Sequence, residues 1–196
     1  IFGMGSLPAA AYETKLLLEL LNTHPEVGVQ IEVATPSDLL VHLANQRIEF
    51  FVGDARSLSI NSDFSIKTLL TLQVGFFVNP KHSILKRKHV KLRDVYKFPI
   101  VGAPIDREQL DDALVENWLG NSDDPKFNMH LSSENVASLK SVTRQSDVVL
   151  IAPLSVVCDE LMANDLCLVP IKEKAETLVI NLDLVMLSKR QLSASA

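Results

Sequence analysis

The chain is poor in the residues that most often carry chemistry. Its two cysteines, Cys158 and Cys167, are too few for a disulfide framework and stand at no metal-ligand spacing. Both are expected to pack as core thiols near a helix and a strand, in preference to acting as a redox pair. Only seven glycines are present, and Gly3-x-Gly5 lacks the rest of any dinucleotide fingerprint. The five histidines, His24, His42, His82, His89 and His130, fall in turns, on a polar helix face or at strand ends. No two of them show metal-ligand spacing, and none belongs to a His-Glu-x-x-His pattern. Gly-x-Ser-x-Gly is missing, and the adjacent carboxylates Asp111-Asp112 and Asp123-Asp124 read as solvated faces. These gaps leave no catalytic residue, no cofactor and no metal to expect.

A cationic excess is also lacking. The net charge is −5, whereas gripping nucleic acid needs a basic face. The single basic cluster, Lys86-Arg87-Lys88-His89 with Lys91 and Arg93, has no interleaved aromatics to stack on bases and reads as a solvated loop. No apolar run approaches the ~18–20 residues that cross a bilayer, and no signal-peptide pattern opens the chain, so a membrane partner is not expected. The opening residue is Ile1, an apolar strand residue and not Met, which reads as a boundary within a longer protein.

What the sequence does contain is alternation. Hydrophobic residues make up 47% of it, enough for a substantial core, and strand-like and helix-like periods follow one another throughout. Ile1–Met4 is a short apolar strand. Pro8 opens a helix with Tyr12, Leu16 and Leu20 at helical spacing, flanked by Leu17 and Leu21. Val27, Val29, Ile31 and Val33 alternate as a strand. Thr35-Pro36 is a good start for a second helix whose buried stripe is Leu39, Leu40, Leu43 and Ala44, and Ile48–Val52 follows as a covered strand. Such a β-α-β-α-β opening yields a parallel sheet with flanking helices.

A long strand is expected near Leu69–Val78. A second α/β unit then begins at Phe98–Val101. Asp106 with Gln109 forms a capping box for a helix burying Leu110, Ala113, Leu114 and Trp118. Phe127–Leu131 is a strand, Ser132-Ser133 a helix cap, and Val136, Leu139 and Thr143 the next inner stripe. Val148–Ala152 is a buried strand. Leu154, Val157, Leu161 and Met162 follow at helical spacing, then strands at Leu166–Ile171 and Leu178–Leu187, and a cap at Ser188 for a last helix. The fold class is therefore α/β, two Rossmann-like lobes, residues 1–75 with 177–196 and residues 76–176. The strands near Leu69–Val78 and Leu178–Leu187 are the crossovers that make a hinge.

One arrangement recurs. Short hydroxyl residues stand where a strand hands over to a helix: Gly5-Ser6, Thr35-Pro36-Ser37 and Ser132-Ser133. Each such turn offers unpaired backbone N–H groups and the positive end of a helix dipole. In open α/β sheets these turns gather beyond the carboxyl ends of the strands, where ligands bind, and they suit a small anion.

The order of motifs resembles the effector-binding region of LysR-type transcription regulators, which is similar to type 2 periplasmic binding proteins. The likeness is carried by Leu20 through His24-Pro25-Glu26-Val27 with Val29 and Ile31, by Leu39, Leu43 and Arg47–Val52, and by Pro80-Lys81-His82-Ser83-Ile84. Leu92-Arg93-Asp94-Val95 with Phe98-Pro99-Ile100, and Val148–Pro153, complete it. Ser83, Glu49 and Ser146-Asp147 depart from the usual residues. The resemblance implies a cleft between the lobes lined by Gly5, Ser6, Thr35, Pro36, Gly102, Pro104, Arg107, Ser132 and Ser133, with Arg107 the one cation. It implies a small organic effector, with an anion the best guess, a cytoplasmic location, and homodimers or larger homo-oligomers contacting through the Leu-rich first helix. DNA would be bound only through a segment preceding Ile1. The redox mechanism of a peroxide-sensing branch does not transfer, because Cys158 and Cys167 both follow Pro153. A solute-binding protein of a transport system shares the lobes and is the alternative. An enzyme on the same lobes would need a nucleophilic or charged constellation that the sequence does not advertise.

Overall fold

The structure is a computed structural model, described here for residues 1–56, 58–104, 128–171 and 179–189. The chain divides into two compact units, Ile1–Leu72 with Ile180–Ala196, and Gln73–Val179.

In the first unit β1 (Phe2–Met4) lies between two parallel neighbours, β2 (Ile31–Val33) and β3 (Phe50–Gly53). The C-terminal strand β9 (Val179–Leu187) runs antiparallel to β3, and Phe64–Leu72 of the long strand β4 (Phe64–Val78) follows it. Only Ile31–Val33 of the expected Val27–Val33 strand forms. Its partner β1 is three residues long, so nothing further along β2 finds a ladder to join.

Helix α2 (Pro36–Ala44) packs Leu39 and Leu43 onto Phe51, Ile48 and Val185. It comes so close to the sheet that a Cβ on Gly3 would stand 2.6 Å from Leu39 Cδ2 and 2.9 Å from Phe51 Cβ, so only glycine fits there. The expected stripe of α2 is right at Leu39 and Leu43, whereas Ala44 is exposed. The helix ends in a left-handed turn at Gln46, φ 57°, with Arg47 N donating to His42 O and Gln46 N to Leu43 O. Ile48 then turns straight into the core.

Helix α1 (Ser6–Thr23) behaves differently. Only Ser6, Pro8 and Ala9 are buried, and Leu18 and Leu21 are 56% and 65% exposed. Beneath the sheet, Asp183 of β9 is 2% exposed and accepts from Ala55 N at 3.1 Å and Thr68 Oγ1 at 2.7 Å, two neutral donors.

In the second unit β5 (Ile100–Gly102) lies between parallel β6 (Met129–Ser132) and β7 (Val149–Pro153). The end of β4 from Val74 runs antiparallel to β7, and β8 (Cys167–Leu168) pairs with β4 as well. The core gathers Phe76, Ile84, Val90, Leu92, Val95, Ile100 and Val149. Helix α4 (Val136–Gln145) buries Val136, Leu139 and Thr143, the expected stripe. The helical spacing after Pro153 resolves into a 3-10 turn, Leu154–Val157, and a short α5 (Cys158–Met162). There Val156, Val157 and Glu160 go inward and Met162 is 76% exposed, so Leu154 and Met162 do not form the stripe. Cys158 is consequently exposed and Cys167 half-buried, and neither is a core thiol. Alpha-5 stops as α2 does, with Asn164 at φ 57° and Asp165 N donating to Glu160 O.

A one-turn α3 (Leu92–Val95) sits inside the basic cluster, where no helix was expected. Asp94 accepts from Lys91 N at 3.1 Å and holds Arg87 Nη1 at 2.7 Å and Lys97 Nζ at 3.3 Å. Burial alone would raise the Asp94 carboxyl. The backbone N–H of Lys91 and the charges of Lys97 and Arg87 together outweigh it and hold the group below the usual carboxylate value. His82 is fully buried, unlike a turn histidine. Its Nδ1 accepts from Ile84 N and its ring meets Phe98 edge-on at 4.5 Å.

The expected helix from Asp106 to Gly120, the turn Asn121–Pro125 and the helix after Ser188 lie outside the described residues. Among the described residues no helix is long and apolar enough to cross a membrane.

Candidate functional site

Because β1, β2 and β3 are parallel, their carboxyl ends share one edge of the first unit. The backbone stitches that edge together: Gly5 N donates to Val52 O at 2.8 Å and Ala34 N to Met4 O at 3.2 Å. A Cβ on Gly5 would lie 3.8 Å from Gly53 Cα, and one on Gly53 3.6 Å from Pro36 Cγ. Gly5, Pro36 and Gly53 thus meet in one small area, with Ser6 and Thr35 beside them.

The two hydroxyls there have different fates. Thr35 is the N-cap of α2. Its Oγ1 donates to Asp38 Oδ2 at 2.7 Å and accepts from Asp38 N at 3.2 Å, so toward a ligand it presents only a lone pair. Ser6 is the first residue of α1, whose N-cap Gly5 makes no side-chain cap. Ser6 is 8% exposed, and its hydroxyl has no hydrogen-bond partner among the described residues. The opening turn of an 18-residue helix leaves its first N–H groups beside that hydroxyl. The result is a donor cluster without an acceptor.

The end of β3 adds charged groups. Arg56 forms a two-pronged pair with Asp54, Nε to Oδ1 at 2.9 Å and Nη2 to Oδ2 at 2.6 Å, and Asn181 N reaches Asp54 Oδ2 at 3.4 Å. Nothing in the local sequence marks this pair. Only the Asn181 contact depends on β3 and β9 being neighbours.

The second unit builds an analogous edge from Gly102, Ser132 and Pro153, the ends of parallel β5, β6 and β7. A Cβ on Gly102 would stand 2.7 Å from Ile151 Cγ2, so Gly102 keeps β5 and β7 close. The expected cap at Ser132-Ser133 is corrected here. The N-cap of α4 is Asn135, whose Oδ1 accepts from Ser138 N at 3.0 Å, while Ser133 Oγ accepts from Asn135 N at 3.1 Å. Two extra residues intervene before the helix, and Ser133 shapes the turn that carries them. Ser132 and Pro104 are exposed at the same edge. Arg107 lies outside the described residues. Ser155, in the turn after β7, has a buried hydroxyl without a partner among the described residues, and nothing in the sequence marked it.

A cavity of about 380 Å³ in the first unit is lined by Gln46, Asp63, Leu187 and Lys189. The register of β3 with β9 pairs Phe50 with Met186 and Gly53 with Asp183, which puts Leu187 at the opposite end of β3 from Gly53. That cavity is therefore remote from Ser6 and Thr35. Among the described residues no group of three His, Cys, Asp or Glu could hold a metal ion.

Comparison with known proteins gives this geometry its setting. The chain is 29% identical over 168 residues to the SDS degradation transcriptional activation protein of Pseudomonas sp. (strain ATCC 19151), covering 85% of this chain and 53% of that relative. It spans about half the relative's length. Full-length OxyR from Pseudomonas aeruginosa, in a variant form, superposes with a TM-score of 0.73 at 13% identity, covering 96% of this chain and 63% of that one. The regulatory domain of CcmR from Synechocystis PCC6803 in complex with 2-PG gives 0.72 at 13% identity, over 98% and 89% of the two chains. At those identities the likeness establishes the fold, that of LysR regulatory domains, which is type 2 periplasmic-binding-protein-like. The transport alternative is not what these neighbours favour. The family model for the LysR substrate binding domain matches residues 2–196. This chain belongs to that family, the effector-binding domain of LysR-type transcription regulators.

Proposed function

We propose that the chain senses a small organic anion at the carboxyl edge of its first unit, and that occupancy shifts the arrangement of its oligomer. The observation that carries the reading is Ser6, a largely buried residue at the start of a long helix, whose hydroxyl has no hydrogen-bond partner among the described residues. An anionic oxygen there would receive the hydroxyl proton and the helix-end N–H groups, a charge-assisted arrangement. Thr35 can only accept, so the fitting ligand also carries a donor, such as a hydroxyl or amine. Support of another kind comes from the CcmR regulatory domain, captured in complex with 2-PG.

The oligomer contact rests on α1. Its second half exposes Leu16, Leu18 and Leu21 while its first turn alone is buried, an apolar surface that a second copy of the chain would cover. A ligand shifts such an equilibrium only by binding one arrangement better than the other. Leu18→Glu with Leu21→Glu is expected to turn dimers into folded monomers in sedimentation velocity. Dimers that persist in that variant would place the contact elsewhere.

The ligand site is tested by calorimetry with 2-PG, small hydroxy acids and short alkyl sulfates, the last suggested by the name of the Pseudomonas relative. Ser6→Ala is expected to weaken any hit at least about ten-fold, the worth of one hydrogen bond to a charged group. Adding Thr35→Ala should abolish it, while Thr35→Ser, which keeps the cap, should not. Unchanged binding in the Ser6→Ala, Thr35→Ala variant removes the proposed site.

A further inference from the structure

The segment Lys81–Lys97 of the second unit concentrates charge to a degree the chain as a whole conceals. It holds seven cations, Lys81, Lys86, Arg87, Lys88, Lys91, Arg93 and Lys97, against one carboxylate, Asp94. Its local charge is therefore +6 in a chain of net −5, and the remainder carries −11. The structure shows why these cations face outward. Ile84, Val90, Leu92 and Val95 are buried in the core of the unit, and Val90 is pinned by a bridge to Ile171, so the lysines and arginines between these anchors are kept out of the core. All seven are exposed. Asp94 occupies Arg87 and Lys97, and among the described residues no carboxylate lies within ion-pair distance of Lys81, Lys86, Lys88 or Arg93.

Two further observations narrow what such a surface fits. None of the exposed large apolar side chains falls within the segment, so it lacks the apolar centre of a protein–protein contact, where lysine is moreover depleted. Its aromatic residue, Tyr96, packs against the core cluster and is not displayed for stacking on unpaired bases. Strong positive charge without apolar or aromatic anchors matches the phosphate backbone of a duplex.

We propose that the Lys81–Lys97 surface is a sequence-independent contact for duplex DNA, made by the sensing domain itself. The proposal takes from the family only that a duplex is a partner of the assembly. It does not depend on the ligand site at Ser6. With few contacts and a repulsive remainder, binding is weak, of the order of 10⁻⁴–10⁻⁶ M, and steeply salt-dependent.

The test is fluorescence anisotropy of the 196-residue chain with a short labelled duplex of arbitrary sequence, across a salt series. Lys86→Gln, Lys88→Gln and Arg93→Gln together are expected to weaken binding at low salt about ten-fold or more, and to flatten the slope of log K against log salt by about 0.9 per charge removed. Lys15→Gln, Arg47→Gln and Lys67→Gln, exposed positions of the first unit, remove the same charge elsewhere and should leave the slope in place. Equal losses in both variants, or an unchanged slope in the first, overturn the proposal. So does a change of oligomeric state in the first variant with DNA binding intact, which would make the surface a protein contact.

Discussion

The two units bury carboxylates in opposite ways. The first holds Asp183 with neutral donors, the backbone N–H of Ala55 and the hydroxyl of Thr68. The second holds its carboxylates with cations, Glu160 against Lys140 Nζ at 2.8 Å and Asp94 against Arg87 and Lys97, although Asp94 also accepts from the Lys91 backbone N–H. In the first case the charge organises backbone, since Ala55 sits in the turn leaving β3 and Thr68 in β4. In the second, the charge organises other side chains, and Lys140 also donates to Val156 O at 3.2 Å, tying α4 to the turn after β7. Asp183 has no apolar substitute, because the Thr68 hydroxyl could be removed with it but the Ala55 N–H could not. A salt-bridged carboxylate can be replaced together with its partner.

The largest expected effect follows from that difference. Asp183→Ala leaves the buried N–H of Ala55 unpaired and removes the acceptor of the Thr68 hydroxyl, and should cost roughly 3 kcal/mol, seen as a lowered melting temperature and as faster hydrogen exchange confined to the first unit. No companion substitution should restore it. Glu160→Gln should cost about 2 kcal/mol, less than a fully buried pair because Lys140 keeps some contact with water. Here Lys140→Met with Glu160→Leu should return most of the loss. If the Asp183 variant can be rescued by apolar repacking, or the Glu160 variant cannot, the contrast between the units fails.

Smallest is Asp94→Asn, expected to cost about 1 kcal/mol at neutral pH. The sign with pH is fixed by its lowered carboxyl value. The stabilisation is fully present above the unfolded carboxylate value, about 3.9, and is lost as pH falls through the lower folded value. The gap in melting temperature between the parent and Asp94→Asn should therefore close on acidification. A gap that stays constant would show Asp94 acting through shape alone.

How much of this was legible depended on how local each cause is. Thr35-Pro36 declares the start of α2 because cap and proline act within one turn, and Val136, Leu139 and Thr143 declare the face of α4 for the same reason. Ser6 and Thr35 were legible as site candidates because a strand–helix junction has a recognisable grammar. That grammar cannot say which hydroxyl is already occupied, and so Thr35 and Ser6 looked alike. Ser133 looked like a cap because the two residues separating it from α4 carry no periodic signal. The Asn181 contact to Asp54, the buried His82 and the Asp183 network depend on strands that meet across more than a hundred residues or on a core assembled around them. No window of sequence contains those causes.

Gly3 has no functional group, touches no ligand and lies behind the edge where the hydroxyls stand. Yet the missing methyl group sets how near α2 may come to the sheet, and α2 carries Thr35 and Pro36 at its tip. Position 3 is in effect a spacer gauge for the proposed site in front of it. On the proposed reading of the site, the polar residues at the edge are open to exchange, while the tolerance to which they are held is set one layer back, by an atom that is absent.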